Sequence, residues 1–269
     1  MENVLFIFAG IPVYSYGFML GLGLIFGSLL ACREGRRRGL DQNLVFNWFV
    51  QVTVVFLVVG RVAFVFSLHR WRMFTYPWVL LTGFQVDEVA GIIGAVIYGT
   101  YLLFHSFPRP MAFLDSLAPS VALIQSLANL GSNVFGRQTN VPWAVRLGYF
   151  TLHPTPLYAA IVYYLIFAVL WRFRRQTRFD GQLIIGFVTL SSASQWFLLR
   201  YREMSAVSWN PLLYLLPAIA FGALWVWLYV QAPLLPLSKR RGQGPLLSWL
   251  LSIFGVALTM TLVFFWRFG

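Results

Sequence analysis

At 269 residues, 59% of them hydrophobic, 18% aromatic and only 10% charged, the chain has too little polar surface for one or two soluble domains. The 20 Lys+Arg against 8 Asp+Glu give a formal net charge of +12, yet the basic residues sit in short gaps between apolar runs. There an anionic lipid leaflet accounts for them better than a nucleic acid does, and disorder, coiled coil and disulfide scaffold are excluded as well.

Apolar runs near the roughly twenty residues of a bilayer crossing read as eight spans, at 12–32, 45–66, 89–104, 111–134, 157–171, 183–199, 211–230 and 246–265. The expected fold is therefore an all-α integral membrane protein. The third and fifth runs are short and begin beside polar residues, so their helices are expected to start a few residues earlier. In the first span Gly17, Gly21, Gly23 and Gly27, and in the third Gly91, Ala95 and Gly99, are small residues that let helices approach closely. A Gly-x-Gly inside a span, without a preceding strand, is no dinucleotide fingerprint. Leu29-Leu30-Ala31-Cys32 resembles a lipoprotein cleavage box, but its basic residues follow the apolar run instead of preceding it. Cys32, the one cysteine, reads as a small residue near a helix end and allows neither an internal disulfide nor a cysteine metal pair. No cofactor or metal is expected.

Taken alternately, one set of gaps carries Arg33, Arg36, Arg37 and Arg38, then Arg109, then Arg172, Arg174, Arg175 and Arg178, then Lys239, Arg240 and Arg241. The other set carries Arg70, Arg72, Arg137, Arg146, Arg200, Arg202 and Arg267. The richer set belongs inside, which places both termini outside. The basic Pro/Gly linker at 231–245 divides a domain at 1–230 from an additional helix at 246–269.

Ionisable groups at membrane depth are costly and mark candidate sites. Arg61 in the second span can fork onto a carboxylate, a phosphate or backbone carbonyls, or snorkel to headgroups. Asp115, opening the fourth span, is expected to N-cap that helix. His153, in His153-Pro154-Thr155-Pro156-Leu157-Tyr158, stands just before the fifth span as a general base or an interfacial polar residue. Asp87-Glu88 is either an acid pair or solvated. Gln125, Asn129 and Ser132 share one helix face as interhelical glue or a cavity lining. Trp48, Trp71, Trp78, Trp143, Trp209 and Trp266 read as an aromatic belt or as partner surface.

In order along the chain, these landmarks resemble the prolipoprotein diacylglyceryl transferase family. The matching segments are Tyr14-Ser15-Tyr16-Gly17, Arg33-Glu34-Gly35-Arg36-Arg37-Arg38-Gly39-Leu40, Gly60-Arg61 and Gly91-Ile92-Ile93-Gly94. They continue with Asp115-Ser116-Leu117-Ala118-Pro119, Gly136-Arg137-Gln138-Thr139-Asn140-Val141-Pro142-Trp143-Ala144-Val145, the His153 to Tyr158 segment and Asp180-Gly181-Gln182. The resemblance spans about 11–230 and implies a seven-helix bundle, to which the last run adds an eighth helix. It implies a bacterial plasma-membrane protein that uses phosphatidylglycerol, since members of the family move its diacylglyceryl group onto a preprolipoprotein cysteine. That chemistry needs cationic groups for a phosphate and for the departing glycerol phosphate.

The chain departs from the pattern where charge is expected. Against the family's Gly-Arg-x-Gly-Asn-Phe-x-Asn-x-Glu, Asn129 stands for the arginine, Ser132 for the asparagine, and the glutamate segment is shortened; with the gap placed earlier, Gln125 stands for the arginine and Asn133 for the glutamate. Val89 replaces a histidine, Gln195 an intramembrane arginine, Pro156 a glutamine and Ala159 a glutamate. Tyr16, Arg61, Arg137, Arg146 and Tyr158 remain as implied lipid-binding residues, His153 and Arg137 as implied catalytic ones, and Gly91, Gly94, Asp115 and Gly136 as structural ones. One reading is a degenerate member that binds phospholipid as a subunit or scaffold of a membrane-protein assembly. The other is a working transferase on prolipoproteins or another acceptor.

Overall fold

A chain that runs through hydrocarbon has no water to satisfy its peptide groups, so each apolar run must close its hydrogen bonds within itself. The computed structural model describes residues 4–8, 11–69, 86–202, 210–233 and 245–268. Eight helices form among the described residues: α1 Ser15–Arg37, α2 Gln42–His69, α3 Glu88–Ser106, α4 Pro110–Gly131, α5 Thr155–Phe173, α6 Gln182–Leu198, α7 Leu212–Gln231 and α8 Leu246–Phe268. Each overlaps one expected span, and α3 and α5 begin earlier than their apolar runs. Seven are long and apolar enough to cross a membrane, and α6 is a shorter apolar helix. Trp71, Trp78, Trp209, Arg70, Arg72, Lys239, Arg240, Arg241 and 234–244 of the expected linker lie outside the described residues.

Two short antiparallel ribbons accompany the helices, β1 Val4–Phe8 with β2 Ile11–Tyr14 and β3 Val145–Leu147 with β4 Phe150–Leu152. The second turns at Gly148, whose φ of 60° is left-handed and costs a residue without a Cβ little. The helix ends follow local chemistry. Gly39, with φ 77°, follows α1, whose last turn holds Arg36 and Arg37 against the negative pole. Pro156 opens α5, where its missing N–H has no intrahelical partner to lose.

The chain divides into two compact units, one of 1–31 with 114–269 and one of 32–113. In the latter, α3 lies along α2 through small residues. A Cβ on Gly91 or Gly94 would come within 2.9 Å of Phe56 or Val59, and the Trp48 indole donates to the Gly99 carbonyl at 3.1 Å. Trp48 is thus a packing residue between the two helices. Asp87 caps α3, accepting from the Ala90 N–H at 2.9 Å, which settles its role as structural.

In the other unit the expected glycine stripe of α1 is used over half its length. Gly23 and Gly27 press on Ile124 of α4, whereas among the described residues Gly17 and Gly21 have nothing within 4 Å. Ala118 and Ala122 of α4 pack with Tyr163, Ile166 and Leu170 of α5 and Leu183 of α6. The last helix joins the same unit: Met260 and Phe264 pack with Leu130, Val145, Leu157 and Ala160.

Candidate functional site

Asp115 lies in the second turn of α4, completely buried, and therefore does not cap its own helix as the sequence led us to expect. Its carboxylate reaches instead to the start of α6. One oxygen accepts from the Gly181 N–H at 3.0 Å, and the other from the Leu183 and Ile184 N–H groups at 2.8 and 3.1 Å. Gly181, at φ 98°, is the N-cap of α6 and has no side chain with which to cap it. The motif around Asp115 and the Asp180-Gly181-Gln182 motif are therefore two halves of one lock, and an acid from another helix satisfies the free donors and the positive pole.

At the other end of α4 the loop to α5 builds a platform around Gly136. Its N–H donates to the His153 carbonyl at 3.0 Å, the His153 N–H donates to the Arg137 carbonyl at 3.0 Å, and the Arg137 N–H donates to the Tyr201 carbonyl at 2.9 Å. A Cβ on Gly136 would collide with the Tyr201 carbonyl, so only glycine lets the three strands of chain meet. The Thr155 hydroxyl donates to the Val134 carbonyl at 2.9 Å and ties the loop to the first turn of α5.

On this platform the Tyr158 hydroxyl accepts from the Trp143 indole at 2.7 Å and lies 3.3 Å from Nδ1 of His153. The His153 and Tyr158 rings both stand against Tyr201, at centroid separations of 5.3 and 5.9 Å. The exposed Arg137 guanidinium is fixed through Nε, which donates to the Arg202 carbonyl at 2.9 Å. Among the described residues its two Nη atoms have no hydrogen-bond partner, a fork suited to phosphate or carboxylate oxygens. Arg146 stands exposed in β3 opposite Thr151, on the ribbon that extends from the platform. Tyr16, partly exposed, opens α1 beside the end of α4, where the Ser15 hydroxyl donates to the Gly131 carbonyl at 2.8 Å.

The model of the prolipoprotein diacylglyceryl transferase family matches residues 3–261, a stretch that ends within α8. The chain belongs to that family. It is 27% identical over 205 residues to the phosphatidylglycerol–prolipoprotein diacylglyceryl transferase of Clostridioides difficile (strain 630), covering 74% of this chain and 82% of the relative. Proteins of the same name from Finegoldia magna and Campylobacter jejuni subsp. doylei are 26% and 27% identical, over 73% and 72% of this chain and 82% and 78% of theirs. As a member of the prolipoprotein diacylglyceryl transferase family with this array of apolar helices, the protein is a multi-pass protein of the bacterial inner membrane.

Several positions singled out from the family resemblance are engaged by the protein itself. The Asn129 amide turns back to the Gln125 carbonyl within α4 at 2.7 Å. Ser132 lies one residue beyond the helix, so it does not continue the face of Gln125 and Asn129, and its hydroxyl accepts from the Val134 N–H at 3.3 Å. The Gln195 amide donates to the Tyr163 hydroxyl at 2.8 Å. Arg61, Val89, Gly91 and Gly94 belong to the other unit: Val89 is exposed at the start of α3, and the Arg61 guanidinium lies 5.7 Å from the Phe64 ring centroid.

Two contributors escaped the sequence reading. Tyr201 backs the platform by its carbonyl and its ring, and nothing in a tyrosine after a short helix announces this. Arg267 entered only as one basic residue of a loop set, yet it lies in the last turn of α8. Its guanidinium donates to the Leu130 and Ser132 carbonyls and to Asn133 Oδ1 at 2.9, 2.7 and 2.7 Å. An arginine among aromatic residues just beyond an apolar run was the available signal.

Proposed function

We propose that this family member binds a phospholipid, phosphatidylglycerol in particular, without carrying out group transfer, and serves as a subunit or scaffold of a membrane assembly. The observation that carries the reading is the hydrogen bonding of Asn129 and Gln195. Where the family resemblance leads one to expect arginines, both are neutral amides that bond to neighbouring protein groups. Removing one preorganised donor from a developing anion costs roughly 100-fold or more in rate, and here several charged positions are replaced together. The platform keeps the means to hold a headgroup: Arg137 offers a fork to phosphate, Tyr16, Arg146 and Tyr158 supply the remaining polar contacts, and His153 backs Tyr158; Arg61, in the other unit, is proposed to bind lipid there on its own. Eight spans with both termini outside place this platform at the outer leaflet. The partition into a domain at 1–230 and an added helix at 246–269 is part of the same reading.

A second reading is favoured by the relatives, which are named as transferases, and by the bonded row of Trp143, Tyr158 and His153. In it a peptide cysteine attacks the glyceryl carbon of phosphatidylglycerol. A C–S bond forms to the diacylglyceryl carbon, that carbon's bond to the phosphate oxygen breaks, the thiol proton passes to His153, and Arg137 receives the phosphate of the departing glycerol phosphate.

One experiment separates the two. The protein is purified, assayed for retained phospholipid by native mass spectrometry, and incubated with phosphatidylglycerol and a lipobox peptide beside the Clostridioides difficile relative. Retained lipid with no diacylglyceryl peptide is the expected result. Product that disappears in Arg137→Ala and His153→Ala would establish the second reading, and absence of any retained phospholipid would refute the first.

A further inference from the structure

The backbone between α4 and the platform is held at almost every step. Arg267 takes the carbonyls of Leu130 and Ser132, Ser15 takes that of Gly131, and Thr155 takes that of Val134. The Gly136 and Arg137 N–H groups then bond to His153 and Tyr201. The first of these ties comes from the far end of the sequence. A guanidinium offers five N–H groups in a rigid plane, and this one uses three of them on two main-chain oxygens and the Asn133 side chain, which a single ammonium on a flexible stem does not reproduce. It also places a full positive charge at the negative pole of α4, where the last carbonyls have no partner within the helix. Phe268 and Phe264 flank it, with their ring centroids 4.4 and 5.6 Å from the guanidinium carbon, and fix its plane. Meanwhile Asn129 turns back onto its own helix, so α4 contributes no cation of its own here.

We propose that Arg267 is a positioning residue of the platform: from α8 it supplies the guanidinium that α4 lacks at Asn129, and it holds the chain between Leu130 and Ser132 so that Arg137 is presented to a lipid phosphate. The last helix is then a working part of the headgroup site. This inference rests on the lipid-binding reading, and its effect passes through Arg137.

The test uses the full-length protein in nanodiscs of defined composition, with retention of phosphatidylglycerol over phosphatidylcholine as readout. Arg267→Gln is expected to lower the preference by roughly tenfold, the factor that one lost charge-assisted hydrogen bond represents. Arg267→Lys, which keeps the charge but not the fork, is expected to recover less than half of the loss on a logarithmic scale. In protein that already carries Arg137→Ala, Arg267→Gln is expected to have no further effect, because groups that act as one unit are not additive. A merely structural role would instead lower retention of both lipids together and add to the Arg137→Ala effect. Asn133→Ala, which breaks one of the three bonds, is the milder variant for the case in which Arg267→Gln does not fold, and a loss of preference of severalfold is expected. Wild-type preference in Arg267→Gln, or in Asn133→Ala when that variant stands in, would overturn the role of Arg267 and leave the lipid reading intact. Additive effects would do the same. A wild-type protein without headgroup preference would overturn the lipid reading and this one with it.

Discussion

Replacing Asp115 tests whether the lock between α4 and α6 governs stability. The carboxylate is completely buried and accepts from the Gly181, Leu183 and Ile184 N–H groups, the first two of these bonds being buried. Asp115→Ala leaves all three donors without their acceptor, and a buried unsatisfied donor costs about 1–3 kcal/mol. Counting the two buried donors in full and allowing the third to find water gives a loss of roughly 2–6 kcal/mol, a large share of a typical folding free energy. Asp115→Asn keeps one acceptor oxygen, which serves the paired Leu183 and Ile184 donors, and turns an N–H₂ toward Gly181. Its loss is expected to be smaller, about 1–3 kcal/mol, for one orphaned donor. The assay is unfolding of the purified protein in mixed micelles of increasing SDS fraction, followed by tryptophan fluorescence, with Asp115→Glu as a volume control. The order wild type, Asn, Ala is expected. An Ala variant within about 0.5 kcal/mol of wild type, the range of inconsequential surface changes, would refute the claim that this acid sustains the start of α6.

Gly136→Ala forces a methyl group against the Tyr201 carbonyl. It is expected to part the loop from Tyr201, exposing the 132–154 segment to limited proteolysis at least tenfold faster, as expected when about 1.4 kcal/mol or more is lost from a local opening equilibrium. Gly94→Leu drives a side chain into Val59, where even a Cβ would come within 2.9 Å. A loss of about 1–3 kcal/mol, typical of overpacking, is expected in the same SDS titration, whereas Gly17→Ala, with open space around it among the described residues, does not lower stability. Tyr158→Phe removes the oxygen that meets both the Trp143 indole and His153. A shift of the Trp143 emission maximum is expected, read as the part of the Tyr158→Phe spectral change that disappears when Trp143 is itself replaced by phenylalanine; an unchanged spectrum would show that the bond does not form. With Cys32→Ser as background, Tyr149→Cys on the fully exposed ribbon turn is expected to react with an impermeant maleimide in intact spheroplasts, and Arg175→Cys only after permeabilisation. The reverse pattern would invert the orientation.

Much of the architecture was legible in the sequence because hydrocarbon permits few solutions. A run of apolar residues long enough to cross it has to be a helix, and all eight runs are helices whose ends fall within a few residues of the expected ones. Gly91 and Gly99 announced the close approach of α3 to a neighbour, since absence of a side chain is itself a packing signal. The motifs about Gly136 and His153 marked the segment that became the platform. The short ribbons escaped notice, because strands of three to five residues carry too little alternation to be told from a loop.

What the sequence by itself determined was the medium, the helices and the chemical inventory along each one. What only the tertiary structure decided was which group answers which. Asp115 read locally as the cap of its own helix, yet it caps another helix whose N-cap residue is a glycine. Arg267 read as one charge in a loop set, yet it closes the end of α4, more than a hundred residues earlier. The physical reason is the same in both cases. A helix terminus displays unpaired peptide groups whose need is visible in the sequence, but any suitably charged side chain within reach can meet it, and reach is set by packing in three dimensions.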